Sequence, residues 1–425
     1  MAQPQPPHIA ILGAGIFVKT QYIPRLAEIP HHFVLRTIWS RTELRIGFFV
    51  EMKNLLHLFV DFSAGGHSSS RRNSILQKWV RSLGMIKVAA FCSLVVVLSL
   101  TERESARSAV EVAQRHFPDV ECKWGDAGLE EIIKDSSITG VAVVLAGQTM
   151  VDMSLRLLKA GKHVLQAVDE AEKALAQYNS LSATLTHQPI WAVAENYRFE
   201  PAFIESKKLI SEIGEMMNIQ VIVEGSMNSS NPYFASSWRR QFVVPDSKFF
   251  CVVLSTLEAF GGFILDMGVH FVAGLRMLVG CEIASLTSMN SHVDKTLPPP
   301  DNISSLFQLE NGCSGVFVMV IIWRVVGLNG VLQVERGHKD GKHGYSVSLH
   351  MSDGQSKSFF YPFSGVTDEL KTFLSYVSTA NLKKDHSSHI DSRLSFAEGA
   401  RDVAVLDAML ESGMRQGTLV QVKKL

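Results

Sequence analysis

The sequence lacks an excess of charge of either sign, a paired cysteine pattern, an apolar run long enough to cross a bilayer, and any internal repeat. Lys plus Arg and Asp plus Glu number 41 each, for a formal net charge of +0. No global field then favours nucleic acid or an anionic membrane surface, and nucleic acid is not an expected partner. The five cysteines, Cys92, Cys122, Cys251, Cys281 and Cys313, are odd in number, scattered and without CxxC spacing. That excludes a disulfide framework or a cysteine zinc site and fits buried free thiols in a reducing compartment, so no metal is expected. The uncharged stretch Val88 to Leu100 falls short of the roughly 20 residues a spanning helix needs, which argues against membrane insertion. Met1 to Pro7 has neither a basic start nor an apolar centre, so it does not read as a secretory signal and a cytoplasmic site is expected. Charged residues make up only 19% and apolar ones 46%, which excludes a highly charged coiled coil and general disorder.

What is present is an ordered alternation. The 425 residues make two to three domains at roughly 150 residues each. His8 to Leu12 is a short apolar strand running into Gly13-Ala14-Gly15, followed by a helix-like stretch toward Leu26 and a second strand, Phe33 to Trp39. A β-α-β unit of that length is how the dinucleotide-binding fold begins. The pattern breaks at residues 44–103, which read as an insertion into a βα connection, since the flanks on either side join as strand end and amphipathic helix. Alternation then resumes with strands at Val120 to Trp124, Gly140 to Ala146, His163 to Gln166 and Ile190 to Ala194, with helices between them. Beyond Pro201 strands follow one another without helices, among them Asn218 to Met227, Ile283 to His292, Ser304 to Leu309, Gly315 to Trp323 and Ser346 to Met351. Helices near Val366 to Thr379 and Ser392 to Ser412 close the chain. The expected architecture is an α/β Rossmann domain with a doubly wound parallel sheet over 1–196. An α+β domain with a mainly antiparallel open sheet follows over 197–425.

Three stretches could carry chemistry. Gly13-Ala14-Gly15-Ile16-Phe17-Val18 is a G-x-G-x-x-G whose third glycine is replaced by Val18. Its first two glycines still permit a tight turn and the approach of a pyrophosphate to a helix N-terminus, where free N–H groups and the dipole favour anions. Any strand-to-helix glycine turn looks similar, but this one stands after the first strand and before the second. Gly13, Gly15, Ile16 and Phe17 are therefore candidate cofactor contacts. The second strand ends Ser40-Arg41, a hydroxyl and a guanidinium that suit a 2′-phosphate and favour NADP over NAD, which stays possible; a solvated loop arginine is the plainer reading. In Gly261 to His270 (GGFILDMGVH), Asp266 and His270 are four apart and share one helix face. Imidazole titrates nearest neutrality and can pass a proton to or from a substrate hydroxyl, although such a pair is also common on an ordinary polar face.

Strand-GAGIF-helix, Ala194-Glu195-Asn196-Tyr197-Arg198-Phe199 after the last Rossmann strand, and GGxxxDxGxH on a later helix occur together and in this order. In this the chain resembles the glucose-fructose oxidoreductase / inositol dehydrogenase (Gfo/Idh/MocA) family over nearly its whole length apart from residues 44–103. The resemblance implies NAD(P) binding, hydride transfer to or from a small carbonyl or hydroxyl compound (sugar, polyol or aldehyde), and a homo-oligomer built through the open sheet. It makes His270 the acid/base and Asp266 its neighbour, places Glu195 and Asn196 with the cofactor, and places Tyr197 and Arg198 with the substrate. Trp238 and Arg239 are further candidates for substrate contact, though a solvated pair would read the same. One departure stands out: in the family the strand at His163 to Gln166 runs into Glu-Lys-Pro, whose lysine helps polarise or protonate the substrate oxygen. Here the chain continues Ala167-Val168-Asp169-Glu170, and neither Lys162 nor Lys173 occupies the missing place. The chain reads as the family frame with one segment added and a short one lost. Reduced or absent catalysis is therefore expected, and a dinucleotide-binding regulator without turnover is the alternative.

Overall fold

Ile9, Ala10, Ile11 and Leu12 are all buried, as are Val141, Ala142 and Val143 and the whole of His163 to Gln166. Strands buried on both faces belong to a parallel sheet covered by helices on each side, and that is what forms. The structure is a computed structural model that describes residues 5–41, 105–145, 147–166, 171–182, 189–223, 232–235, 263–292, 294, 297, 300–319, 322–382 and 391–425. The expected insertion at 44–103 and the run Val88 to Leu100 lie outside the described residues, as do Trp238 and Arg239. Among the described residues no helix is long and apolar enough to cross a membrane.

The first sheet joins β1 (His8–Leu12), β2 (Val34–Ser40), β3 (Glu121–Trp124), β4 (Ile138–Val143), β5 (His163–Gln166) and β6 (Trp191–Val193) in the order β3-β2-β1-β4-β5-β6. Every pairing is parallel. The order reverses between β1 and β4, so the crevice for a ligand opens at the carboxyl ends of those two strands. The helices are α1 (Ile23–Ala27), α2 (105–113), α3 (Gly125–Lys134), α4 (Gly147–Lys159) and α5 (Ala171–Ser182). The helical path before α1 begins at Ile16 and passes through a π turn at Val18–Tyr22. Leu12, Leu129, Val143, Leu157 and Trp191 fill one face of this sheet.

The second sheet has nine strands, in the order β14-β13-β12-β11-β7-β10-β9-β8-β15. They are β7 (Met216–Val223), β8 (Ile283–Ser291), β9 (Asn302–Leu309), β10 (Ser314–Met319), β11 (Ile322–Gly327), β12 (Gly330–Lys339), β13 (Lys342–Met351), β14 (Ser356–Pro362) and β15 (Val420–Gln421). Among the described residues only β7 and β10 pair in parallel in this sheet; the other pairings are antiparallel. Burial alternates strictly along β9, so one face meets the core and the other does not. That core is closed by α6 (Pro201–Leu209), α7 (Phe263–Val279) and α9 (Phe396–Met414), through Phe203, Val272, Leu275, Leu406 and Met409.

Two features differ from the pattern read in the sequence. Gly315 to Trp323 is not one strand: its residues fall in β10 and β11, which lie on opposite sides of β7. The run Val316 to Trp323 is apolar and contains neither Gly nor Pro, so nothing local marks the break. The second difference is α8 (Gly365–Leu382): Leu370, Phe373, Leu374 and Val377 pack with Ile9 and Ile11 of the first sheet and with Val18 of the π turn that covers it. A helix late in the chain thus completes the first core, which a cut at 196/197 does not show.

Candidate active site

Three elements are set along the carboxyl edge of the first sheet, the second and third in contact with each other. The first is the turn after β1. Gly13 has φ +131°, a conformation that side chains rarely adopt, and a Cβ there would collide with the Val144 carbonyl oxygen. Its N–H donates to the Trp39 carbonyl at 2.7 Å, and the Val144 N–H donates to the Leu12 carbonyl at 2.8 Å. These bonds draw β1, β2 and β4 together under the turn. Gly15 is the opposite case, because a Cβ there would meet nothing within 4 Å. Space in front of Gly15 and a helical path opening at Ile16 and Phe17 suit a diphosphate. At the end of β2, Ser40 is buried and Arg41 exposed.

The second element is the turn after β6, a single 3-10 turn at Asn196–Phe199. Glu195 caps it by accepting the Tyr197 N–H at 3.2 Å. The third element is α7, which carries Asp266 and His270 on one face, as their spacing requires. The two Glu195 carboxylate oxygens lie 2.9 and 2.8 Å from His270 Nδ1. Glu195 is almost wholly enclosed, while 26% of the His270 side chain is accessible. Tyr197 stacks on the imidazole, its ring centroid 5.5 Å away and the planes 9° apart. Held at one nitrogen and on one face, the ring leaves Nε2 without a hydrogen bond to any described residue.

The electrostatics follow from this packing. Burial alone would raise the Glu195 carboxyl, but the charge and hydrogen bond of His270, with the Arg198 charge behind them, bring it below its ordinary value. Burial would lower His270, and the neighbouring charges of Glu195, Asp266 and Asp402 outweigh it, so the imidazole holds its proton more tightly than usual. Burial pushes the Tyr197 phenol up to about 12, against a hydrogen bond with Tyr345. Glu200, next along the turn, is lifted by burial to about 7 despite hydrogen bonds from the Ser364 and Gly365 backbone and from Asn196. The enclosed Glu369 of α8 accepts the Glu195 N–H, and burial and the Glu195 charge push its carboxyl well above the ordinary value.

Not every candidate residue meets the pocket. Glu195, grouped by resemblance with the cofactor contacts, turns its carboxylate onto His270 instead. Arg198 is buried and engaged elsewhere: it pairs with Asp402 of α9 and donates to the Glu398 carbonyl at 3.1 Å. Tyr197 lies in the second core, against Phe203, Phe271, Trp323 and Tyr345. Asn196 is half-buried at the sheet edge. Lys162 donates to the Asp135 and Ile138 carbonyls at the amino end of β4, a strand's length from the turn after β1, so it does not reach this site. The segment that departs from Glu-Lys-Pro, residues 167–170, and the Lys173 side chain lie outside the described residues. Glu369 and Glu200 belong to no motif. Glu195 had a signal, since a carboxylate at the carboxyl end of the last parallel strand faces the crevice side of the sheet. Among the described residues no group of three His, Cys, Asp or Glu side chains could hold a metal.

No family model matches the chain. A protein described as Dehydrogenase FPY6, from Fusarium mangiferae, is 24% identical over 445 aligned positions that take in 98% of this chain and 99% of that one. An uncharacterized protein of Saccharomyces cerevisiae is 25% identical over 70% of this chain and 82% of its own length. Among solved structures, an oxidoreductase from Thermotoga maritima superposes with a TM-score of 0.66 at 19% identity, over 98% of this chain and 99% of that one. An inositol dehydrogenase homolog from Azotobacter vinelandii, complexed with NADH and myo-inositol, does so with 0.63 at 15% identity, over 98% of each chain. Levoglucosan dehydrogenase in complex with NADH and levoglucosan gives 0.62 at 16% identity, over 99% of this chain and 100% of that one.

Proposed function

This chain has the fold of the Gfo/Idh/MocA-type oxidoreductases, and from that premise we propose that it is an NADP-preferring oxidoreductase acting on a small carbonyl or hydroxyl compound of the sugar, polyol or aldehyde class. The observation that carries the reading is the contact between Glu195, at the carboxyl end of the nucleotide-binding sheet, and His270 of α7. It puts a side chain that can handle a proton at the carboxyl end of the sheet whose first turn is the proposed seat of the dinucleotide. Gly13, Gly15, Ile16 and Phe17 would hold the diphosphate, Ser40 and Arg41 the adenosine phosphate, and Asn196 the nicotinamide end. When bound, the nicotinamide takes or delivers a hydride at the substrate carbon.

The chain's own side chains supply the rest. In alcohol oxidation the hydroxyl proton passes to His270 Nε2; in carbonyl reduction the imidazolium returns it to the substrate oxygen. Asp266 adds negative charge beside the ring and favours the imidazolium. Trp238 and Arg239 are the proposed substrate contacts, and the open second sheet the proposed surface of a homo-oligomer. Two of the solved neighbours named above, the inositol dehydrogenase homolog and levoglucosan dehydrogenase, carry NADH, so the NADP preference rests on Ser40 and Arg41 alone.

The test is a titration with NADPH and with NADH, followed by nicotinamide fluorescence and melting temperature, and then NADPH oxidation across a panel of aldehydes and ketones. NADPH is expected to bind more tightly than NADH, and His270→Ala to lower turnover about 100-fold or more while leaving binding intact. If neither dinucleotide changes fluorescence or melting temperature, the assignment is wrong. Tight binding without turnover on any carbonyl points instead to a dinucleotide-binding regulator.

A further inference from the structure

Glu195 could serve its helix cap without touching His270, and a buried carboxylate is costly unless its charge is met. The charge is met here by an imidazole that is itself partly open to the crevice. Both carboxylate oxygens face one nitrogen, at 2.9 and 2.8 Å. A carboxylate only accepts, so Nδ1 must carry the hydrogen, and the neutral ring is then fixed as the Nδ1–H tautomer with Nε2 as the basic nitrogen. The Tyr197 ring, parallel to the imidazole, covers one of its faces in this pose.

We propose that Glu195 is the positioning residue of the acid/base, holding His270 through Nδ1–H so that Nε2 alone exchanges the proton with the substrate oxygen. This deepens the oxidoreductase reading and rests on it for its catalytic consequence: one histidine, oriented and charged by one glutamate, carries the proton step without a lysine. In reduction the Nε2–H bond breaks and an O–H bond forms at the substrate, and the ring left behind keeps its Nδ1–H on Glu195. In oxidation the same bonds form and break in reverse.

The charged and titratable groups around the pair come from every packed element. Asp266 shares the helix, Arg198 and Tyr197 stand on the turn, Asp402 approaches from α9, Glu369 from α8 and Tyr345 from β13. Asp266 and Asp402 act in the same direction as Glu195 on the imidazole, and Arg198 favours the Glu195 charge. Removal of the Glu195 charge is therefore expected to lower the imidazole's proton affinity without abolishing protonation.

The test uses the full chain and imidazole nitrogen NMR, first without cofactor. Wild type is expected to show the Nδ1–H tautomer and a His270 titration above that of an ordinary histidine. Glu195→Gln, which keeps an acceptor but loses the charge, should move that titration down, and Glu195→Asp should restore it in part. With NADPH and a reducible carbonyl, Glu195→Gln should lower kcat about 100-fold at neutral pH with KM little changed. Reduction needs the imidazolium, so the limb on which rate falls with rising pH should move to lower pH. An Nε2–H tautomer in wild type, or a Glu195→Gln titration and rate equal to wild type, would overturn the proposal. A chain that binds no dinucleotide refutes the oxidoreductase reading, while the cofactor-free tautomer still decides whether Glu195 holds the ring.

Discussion

One short turn, Asn196–Phe199, is tied to one helix, α7, in two places, and the two ties are built differently. On one side Glu195 meets His270; on the other Arg198 meets Asp402, which also accepts from Arg276 of α7 at 2.5 Å. Arg276 goes on to Glu282 at 2.6 Å and Glu398 at 2.9 Å. The second cluster is closed: the Arg198, Arg276 and Asp402 side chains are 5%, 5% and 0% accessible. Guanidinium stays charged at any working pH and forks onto carboxylates, so the cluster holds elements in place; burial lifts the Asp402 carboxyl to about 6 against the two guanidiniums, but no atom of it is open to pass a proton to a substrate. The first pair contains an imidazole, whose ordinary titration lies near neutrality, and leaves its second nitrogen without a hydrogen bond to any described residue on a side chain that is 26% accessible. Openness at a single atom, more than charge or burial, separates the tie that can do chemistry from the tie that braces it.

The sharpest way to break this contrast is Asp402→Ala, which leaves two guanidiniums buried side by side without their shared partner. A loss of about 3–5 kcal/mol in unfolding free energy is expected, measured by urea denaturation, while dinucleotide affinity of the folded fraction should stay near wild type. If Asp402→Ala instead left stability unchanged and removed dinucleotide binding or turnover, the two clusters would have been assigned the wrong way round.

Glu200 supplies the next test, because it stands on the same turn as a third buried carboxyl and is lifted to about 7. A carboxyl whose folded pKa is raised contributes stability that is complete below its unfolded value near 4.5 and is lost as pH rises through about 7. The shift corresponds to about 3 kcal/mol at most, since each pKa unit is about 1.4 kcal/mol. Wild type should therefore lose up to that much stability relative to Glu200→Gln between pH 5 and pH 8. Denaturation curves for the two proteins across that range check it. A flat difference would mean that Glu200 is ionised throughout this range and that burial does not lift it.

How much of this was open to reading in the sequence depends on the range of the interaction. The alternation of strands and helices that builds the first sheet, the glycine turn and the placement of Asp266 with His270 on one helix face follow from local period and spacing, and all three stand in the structure. The division of Gly315 to Trp323 into two strands did not show, because an apolar run without Gly or Pro carries no turn signal. The return of α8 to the first core was hidden for a related reason: an amphipathic face shows that a helix is half-buried but not against what. Glu195 is the instructive case. The resemblance grouped it with the cofactor contacts, yet its partner is seventy-five residues on, and no spacing rule pairs a turn residue with a helix residue at that distance.

The smallest expected effect, and the one that isolates the cofactor half of the site, comes from the glycine turn, where a closed and an open neighbour again stand side by side. Gly13 cannot take a side chain, because its φ is +131° and its Cβ would run into Val144. Gly15 can, since nothing described lies within 4 Å of its Cβ position. Gly15→Ala should therefore fold with an unchanged or slightly raised melting temperature, because an added methyl in open space restricts the unfolded chain without a clash. The methyl would occupy the place where backbone and diphosphate must approach closely, so NADPH affinity should fall by about tenfold, or roughly 1.4 kcal/mol. Calorimetric titration of both proteins measures this. Equal affinities would place the diphosphate away from Gly15 and leave the opening in front of it unexplained, whereas the loss of affinity without loss of stability would fix the cofactor end of the crevice independently of anything His270 does.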